Sequence, residues 1–354
     1  MTQYERAGGV KITVVLCVKN EGAFLLEWLA HHRACGTTDF LVFSNDCDDG
    51  TDAMLDRLEE LGWLTHLRNP GPHDEGPQWA ALKKADRHPL VKDADWLLPL
   101  DIDEFVNVQV GDRTLRALLS ALPDATAITL TWRVFGNAGV VEYRDAPVTE
   151  TFTRAAPEVL HWPWRALLFK TLVRNDGSYA KLGVHRPRAP DAARMATQRW
   201  FDGSGRELPT AFHRGRIFSD VGRSPYGLVQ LNHYPLGAME SFLLKRDRGR
   251  GVHADDGLDA GYWIERNFAA EEDRSVLELD SRDLRDALHA DPDLGALHRS
   301  AVAWRHARFH ALMQEDAWRS FYGQLRMAGP TRVLSREDAE AIWRPHIVTR
   351  APVR

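Results

Sequence analysis

The chain has 354 residues, 44% of them hydrophobic, and its 45 Lys and Arg against 50 Asp and Glu leave a formal net charge of −5. That length and apolar content suit one large α/β domain with additions, or two domains, and the mixed charge argues against the dominant basic face of a nucleic-acid binder. Three cysteines (Cys17, Cys35, Cys47) without CxxC spacing argue against a zinc cluster or disulfide scaffold and fit a reducing cytoplasm.

Val10 to Val18 is almost continuously apolar and β-branched and predicts a central buried strand. It ends in Lys19-Asn20-Glu21-Gly22, after which Phe24, Leu25, Trp28, Leu29 and His32 recur at helical spacing until Gly36 closes the helix. A second unit follows at once: strand 40–43, an acidic loop 44–52, and a helix striped by Met54, Leu58 and Leu61. Strand 63–67 and a helix near 77–86 make a third. This alternation predicts a mostly parallel sheet with helices on both faces.

A fourth strand, Trp96 to Leu100, ends abruptly in Asp101-Ile102-Asp103-Glu104-Phe105. At the carboxyl end of a buried strand, where open α/β sheets bind ligands, carboxylates two residues apart can converge on a divalent cation. A solvated acidic loop is the plain alternative. The loops 19–22, 44–52 and 101–104 all fall on that rim and carry no Gly-rich phosphate loop, so pyrophosphate would need a metal to settle there.

Farther on, 115–122 predicts a short helix and Ile128, Leu130, Trp132 and Val134 an alternating strand. Residues 135–165 mix Gly, Pro and aromatics, as expected of a loop-rich substrate wall. Leu167 to Arg174 predicts another strand, with Lys170 alone among apolar neighbours. From about Ser241 the pattern is helical, with stripes over 296–327 and 335–344. The N-terminus shows no apolar leader and no run approaches the ~18 residues of a membrane span, so a cytoplasmic protein is expected, with at most a peripheral contact at the inner face of the membrane.

In order and spacing, Val14 to Gly22, Ser44-Asn45-Asp46-Cys47-Asp48-Asp49-Gly50-Thr51 and Asp101-Ile102-Asp103-Glu104-Phe105 resemble nucleotide-sugar glycosyltransferases of the family 2 type, with a GT-A fold, and above all a bacterial branch similar to the family 92 enzymes. The resemblance is strong over residues 10–106 and thinner over 127–251. It implies a Rossmann-like nucleotide-binding half at 10–106 and an acceptor-side half at 107–251, together one domain from residue 1 to 251, with 252–354 as a helical C-terminal extension.

It also implies roles. Asn20, Glu21, Asp46 and Asp49 would contact the nucleoside, and Asp101 and Asp103 would coordinate Mn2+ or Mg2+ on the diphosphate, joined by His185 or His233. Asp103 and Lys170 would take part in catalysis. Trp132 looks like an acceptor platform, although alternating aromatics are more often core, while Lys245 and Arg248 could close over the diphosphate. The implied reaction moves a sugar from a nucleotide sugar, a UDP-sugar by preference, to a saccharide or glycoconjugate hydroxyl. Glu142, Asp145, Glu150 and Glu158 are the candidate bases. The alternatives are a nucleotidyltransferase or metal phosphohydrolase on the same rim, or a nucleotide-binding protein without catalysis.

Overall fold

In the computed structural model, which describes residues 9–249 and 258–348, β1 (Ile12–Val18), α1 (Gly22–Ala34), β2 (Asp39–Ser44), α2 (Thr51–Glu60), β3 (Thr65–Arg68), α3 (Pro77–Ala85) and β4 (Trp96–Leu100) follow the expected alternation. The four strands are parallel in the order β3-β2-β1-β4. The residues of β1, β2 and β4 are buried almost throughout, as the unbroken apolar run of β1 requires of a strand covered on both faces, while β3 at the edge is only partly covered.

The sheet then changes character. It continues through β7 (Phe169–Arg174), β6 (Ala127–Val134), β9 (Val229–His233) and β5 (Glu104–Val108), with the short β8 (Trp200–Asp202) beside β6. Strand β7 runs antiparallel to both β4 and β6, β9 is parallel to β6, and β5 is antiparallel to β9. The mostly parallel arrangement therefore holds for the first four strands, and the rest is mixed. Instead of alternating, all eight residues of β6 are buried, because Thr129, Thr131 and Arg133 also face protein. Pairing between β4 and β7 covers only Trp96 and Leu97; Pro99, with no N–H to give, lies beyond it.

Past that point Lys170 closes the gap and fixes the acidic turn. Its Nζ donates to Asp101 Oδ2 at 2.8 Å and lies 3.6 Å from Glu104 Oε2. Glu104 is wholly buried; its carboxylate also accepts from the Asp101 N–H at 2.9 Å and from Trp132 Nε1 at 2.6 Å. Burial pushes the Glu104 carboxyl up, opposed by Lys170. Burial likewise works against the Lys170 ammonium, but Asp101 and Glu104 outweigh it and raise its pKa.

Strand β5 closes the sheet at one edge, and α1 covers its open backbone with side chains. Trp28 Nε1 donates to Glu104 O at 2.9 Å, His31 Nε2 to Val106 O at 2.8 Å, and the Val106 N–H donates to His32 Nε2 at 3.3 Å. An unpaired strand edge is satisfied in this way without another strand. Burial pushes His31 down to about 4 and His32 well below the ordinary imidazole value, so both are neutral.

Helix α4 (Leu115–Ala121) precedes β6, and α5 (Met239–Arg248) follows β9. The expected stripe over 296–327 is two helices, α7 (Pro292–Leu312) and α8 (Asp316–Met327), flanked by α6 (Arg282–Ala290) and α9 (Arg336–Val348). The expected boundary at 251/252, with Arg250 and Gly251, lies outside the described residues. The helices beyond it share the sheet's core, since Leu288, Leu294 and Ala301 pack in one cluster with Leu25 and Trp28. Helix α7 crosses the start of α1 so closely that a Cβ on Gly22 would stand 2.9 Å from that of Ala301.

Two outcomes follow. Lys170→Met removes the one cation beside a buried carboxylate and should cost ~3–5 kcal/mol in urea denaturation; a loss below ~1 kcal/mol would contradict the clamp. For the histidines the depressed folded pKa means that the unfolded chain takes up the protons first. Stability is then whole above about 6.5 and falls as pH drops toward about 4. In thermal melts across that range, His31→Gln should flatten the slope by roughly one proton.

Candidate functional site

The rim loops knit together as their spacing suggests, through side chains on strained backbone. Asn20 and Asp46 take positive φ, 55° and 46°, a conformation that Asn and Asp tolerate better than most residues. Asn20 Oδ1 accepts from the Asp48 N–H at 2.7 Å, and the Glu21 N–H donates to Thr51 Oγ1 at 3.0 Å. Asp49 is the knot: its Oδ2 accepts from the Gly22 N–H at 3.0 Å, and its Oδ1 from the Thr51 N–H at 2.9 Å and Thr51 Oγ1 at 2.6 Å. One buried carboxylate thus satisfies the first N–H of both α1 and α2, where a negative charge also suits the helix dipoles.

Beside these loops lies a cavity of about 330 Å³, bounded by the start of α1, the 140–152 segment, residues 234–248 and α7. Asn20, Glu21, Asp103, Lys245 and Arg248 all line it, together with Glu142. Arg248 pairs with Glu21 and donates to Lys19 O at 2.6 Å, tying α5 to the first loop. Burial raises the Glu21 carboxyl, countered first by Arg248 and then by Arg305.

The two aspartates of the acidic turn diverge. Asp101 turns inward, accepting from Gln78 Nε2 at 2.8 Å on Oδ1 and from Lys170 on Oδ2. Asp103 faces the cavity, where Oδ2 accepts from Lys245 Nζ at 2.5 Å. Burial is the largest single effect and opposes its charge, but Lys245 and His233 together outweigh it and hold the carboxyl well below the usual range. His233 Nε2 lies 3.6 Å from the same oxygen, its Nδ1 is buried without a partner, and burial lowers its pKa.

These residues bear on the expected cation. No three His, Cys, Asp or Glu side chains converge on one point among the described residues. What remains is a two-ligand seat: a carboxylate and a neutral imidazole 3.6 Å apart, a spacing that two ligands at ~2.1 Å from one ion can span. The spacing of Asp103 and His233 suits one divalent cation, which would have to displace Lys245 from the same Asp103 oxygen, whereas Asp101, drawn to Lys170 and Gln78, does not share the seat.

Several expected site residues stand elsewhere. Asp46 is exposed at the end of β2, accepting from the Gly71 N–H at 3.0 Å, and Asp49 is consumed by the helix starts, so neither faces the cavity. Lys170 does not reach the cavity either; buried in β7, it positions the turn. Trp132 is no platform: its ring lies inside the protein, 4.0 Å from the His233 ring and 5.7 Å from that of His185. His185 points Nδ1 at Phe169 O, 3.0 Å away, and burial pushes it down to about 4.

Of the four candidate bases, Asp145 is bound to His298 and Glu150 to Arg285, while Glu158 is exposed at 4.0 Å from Arg133. Glu142 alone of the four lines the cavity. Sequence reasoning missed Gln78, Arg144, Tyr143 and Arg305. Nothing local marks them, since each reads as a polar or aromatic surface position; the fold buries Tyr143 and Arg305 and sets Gln78 against Asp101, while Arg144 stays exposed at the cavity's edge.

Residues 12–194, more than half of the chain, match the model of glycosyltransferase family 92. A family 92 protein of Oryza sativa subsp. japonica is 26% identical over 151 residues, 41% of this chain and 25% of the relative. One of Ricinus communis is 24% identical over 148 residues, 38% of this chain and 24% of the relative. The chain thus spans about a quarter of the length of these curated relatives. Among solved structures, S. aureus TarS 1–349 in complex with UDP shares 16% identity over 47% of each chain at a TM-score of 0.29. The galactosyltransferase LgtC in complex with donor and acceptor sugar analogs shares 14% over 63% of this chain and 87% of its own at 0.28. With Asn20, Glu21 and Asp103 at one cavity and the family model spanning β1 to β7, the chain belongs to glycosyltransferase family 92.

Proposed function

We propose that this chain transfers a sugar from a nucleotide sugar, by preference a UDP-sugar, to a hydroxyl of a saccharide or glycoconjugate. The observation that carries the reading is a single cavity that combines the Asn20–Glu21 loop with its partner Arg248, Asp103 with its partner Lys245, and the carboxylate of Glu142. Asn20 and Glu21 would take the nucleoside. Lys245 and Arg248 would face the diphosphate, where cations in a site screened from water count for several kcal/mol.

In an inverting displacement, the acceptor oxygen attacks the anomeric carbon and its proton passes to Glu142. The bond from that carbon to the phosphate oxygen breaks, and the electron pair leaves on the diphosphate. Lys245 donates to Asp103 in the free protein and would turn to the leaving group as its charge grows. Mn2+ or Mg2+, held by Asp103 and His233, would add charge neutralisation at the diphosphate.

A thermal-shift screen of nucleotide sugars with and without Mn2+ tests the reading. A donor at ~100 times its Kd should stabilise the native state by about 2.7 kcal/mol. Asp103→Asn should abolish the Mn2+-dependent part of the shift while the protein still melts cooperatively. Glu142→Gln should keep donor binding and lower kcat by roughly 10²–10⁴-fold. Pyrophosphate or phosphate release without sugar transfer would instead support a nucleotidyltransferase or phosphohydrolase.

A further inference from the structure

Helix α7 lies outside the residues matched by the family model, yet it places a charge in the cavity. Arg305 is 5% exposed and lines the same space as Asp103 and Lys245. Its guanidinium carbon stands 4.5 Å from the Phe24 ring and 4.7 Å from the Tyr143 ring. Such contacts hold a cation over aromatic faces and leave its N–H edge free. Its Nε is buried without a hydrogen-bond partner. Glu21, which could neutralise it, is already joined to Arg248.

A buried guanidinium with no carboxylate hydrogen-bonded to it is costly in an empty cavity and favourable once an anion arrives. The position is set by close packing of α7 on α1. Ala301, one helical turn before Arg305, meets Gly22 so closely that only glycine fits there. Arg305 is thereby fixed above the Asn20–Glu21 loop on a rigid element, as a binding residue needs to be.

We propose that Arg305 is an oxyanion-binding residue of this cavity, its planar fork receiving two oxygens of a phosphate or carboxylate on the substrate. Arginine suits such a group better than lysine, because the fork matches the pair of oxygens. The inference rests on the glycosyl-transfer reading only for where the anion comes from, either the diphosphate of the donor or a carboxylate on an acidic sugar acceptor. It also gives the C-terminal helices a part in the site.

The test is calorimetric titration of the full chain with pyrophosphate and, separately, with glucuronate, for the wild type, Arg305→Gln and Arg305→Lys. One of the two anions should bind the wild type and lose about tenfold or more in affinity in Arg305→Gln, with Arg305→Lys recovering only part. Dependence with pyrophosphate assigns the donor, and dependence with glucuronate the acceptor. If Arg305→Gln does not fold, Arg305→Lys decides, since it keeps the charge and most of the stem but loses the fork. Equal affinity in wild type and variants, or no binding of either anion to the wild type, overturns the proposal. Binding that depends on Arg305 in a protein that transfers no sugar to any acceptor overturns the glycosyl-transfer reading alone.

Discussion

The site depends on one carboxylate that never meets solvent. Glu104 gathers the Asp101 N–H, the Trp132 indole and, at 3.6 Å, the Lys170 ammonium, and so fixes the turn where the chain leaves β4. Its own carbonyl is held from the other side by Trp28 of α1. With both ends of Glu104 tied, the two neighbouring aspartates have little freedom. Asp101 is drawn down to Lys170, and Asp103 is left facing the cavity.

This division of labour gives the short acidic motif a meaning that its spacing does not carry. One aspartate is structural, neutralising a lysine that a wholly buried strand position could not otherwise hold. The other faces the cavity, with an ammonium at 2.5 Å and an imidazole at 3.6 Å from the same oxygen. The same pattern recurs in the acidic loop after β2. Asp49 is absorbed by two helix starts, while Asp46, three residues earlier, remains exposed.

How much could be read from the chain follows the range of each interaction. The apolar run of β1 and the helical stripe of α1 are local, and both elements form where periodicity predicts. The direction of β7 is not local: its run of apolar residues suits either orientation, and the fold alone decides that it lies antiparallel between β4 and β6. Lys170 stood out as a lysine among apolar neighbours, but its partner Asp101 lies 69 residues earlier. Asp49 resembles its acidic neighbours in the sequence, and the Gly22 N–H that claims it is 27 residues away. Arg305 sits on a helix with no clear apolar face to mark it, and the partner surface, where Ala301 meets Gly22, lies far away in the sequence.

The approach of α7 to α1 also bears on how the molecule comes into being. Two of the three acidic contributors to the cavity, Glu21 and Asp103, come from the first third of the chain, whereas Glu142 and the basic ones, Arg144, Lys245, Arg248 and Arg305, come after it. A chain emerging from the ribosome amino end first would therefore build an anionic ledge well before its counter-charges are made. Docking of the last helices is then the step that turns that ledge into a balanced chamber, and a truncated product ending before α7 would keep the ledge without Arg305.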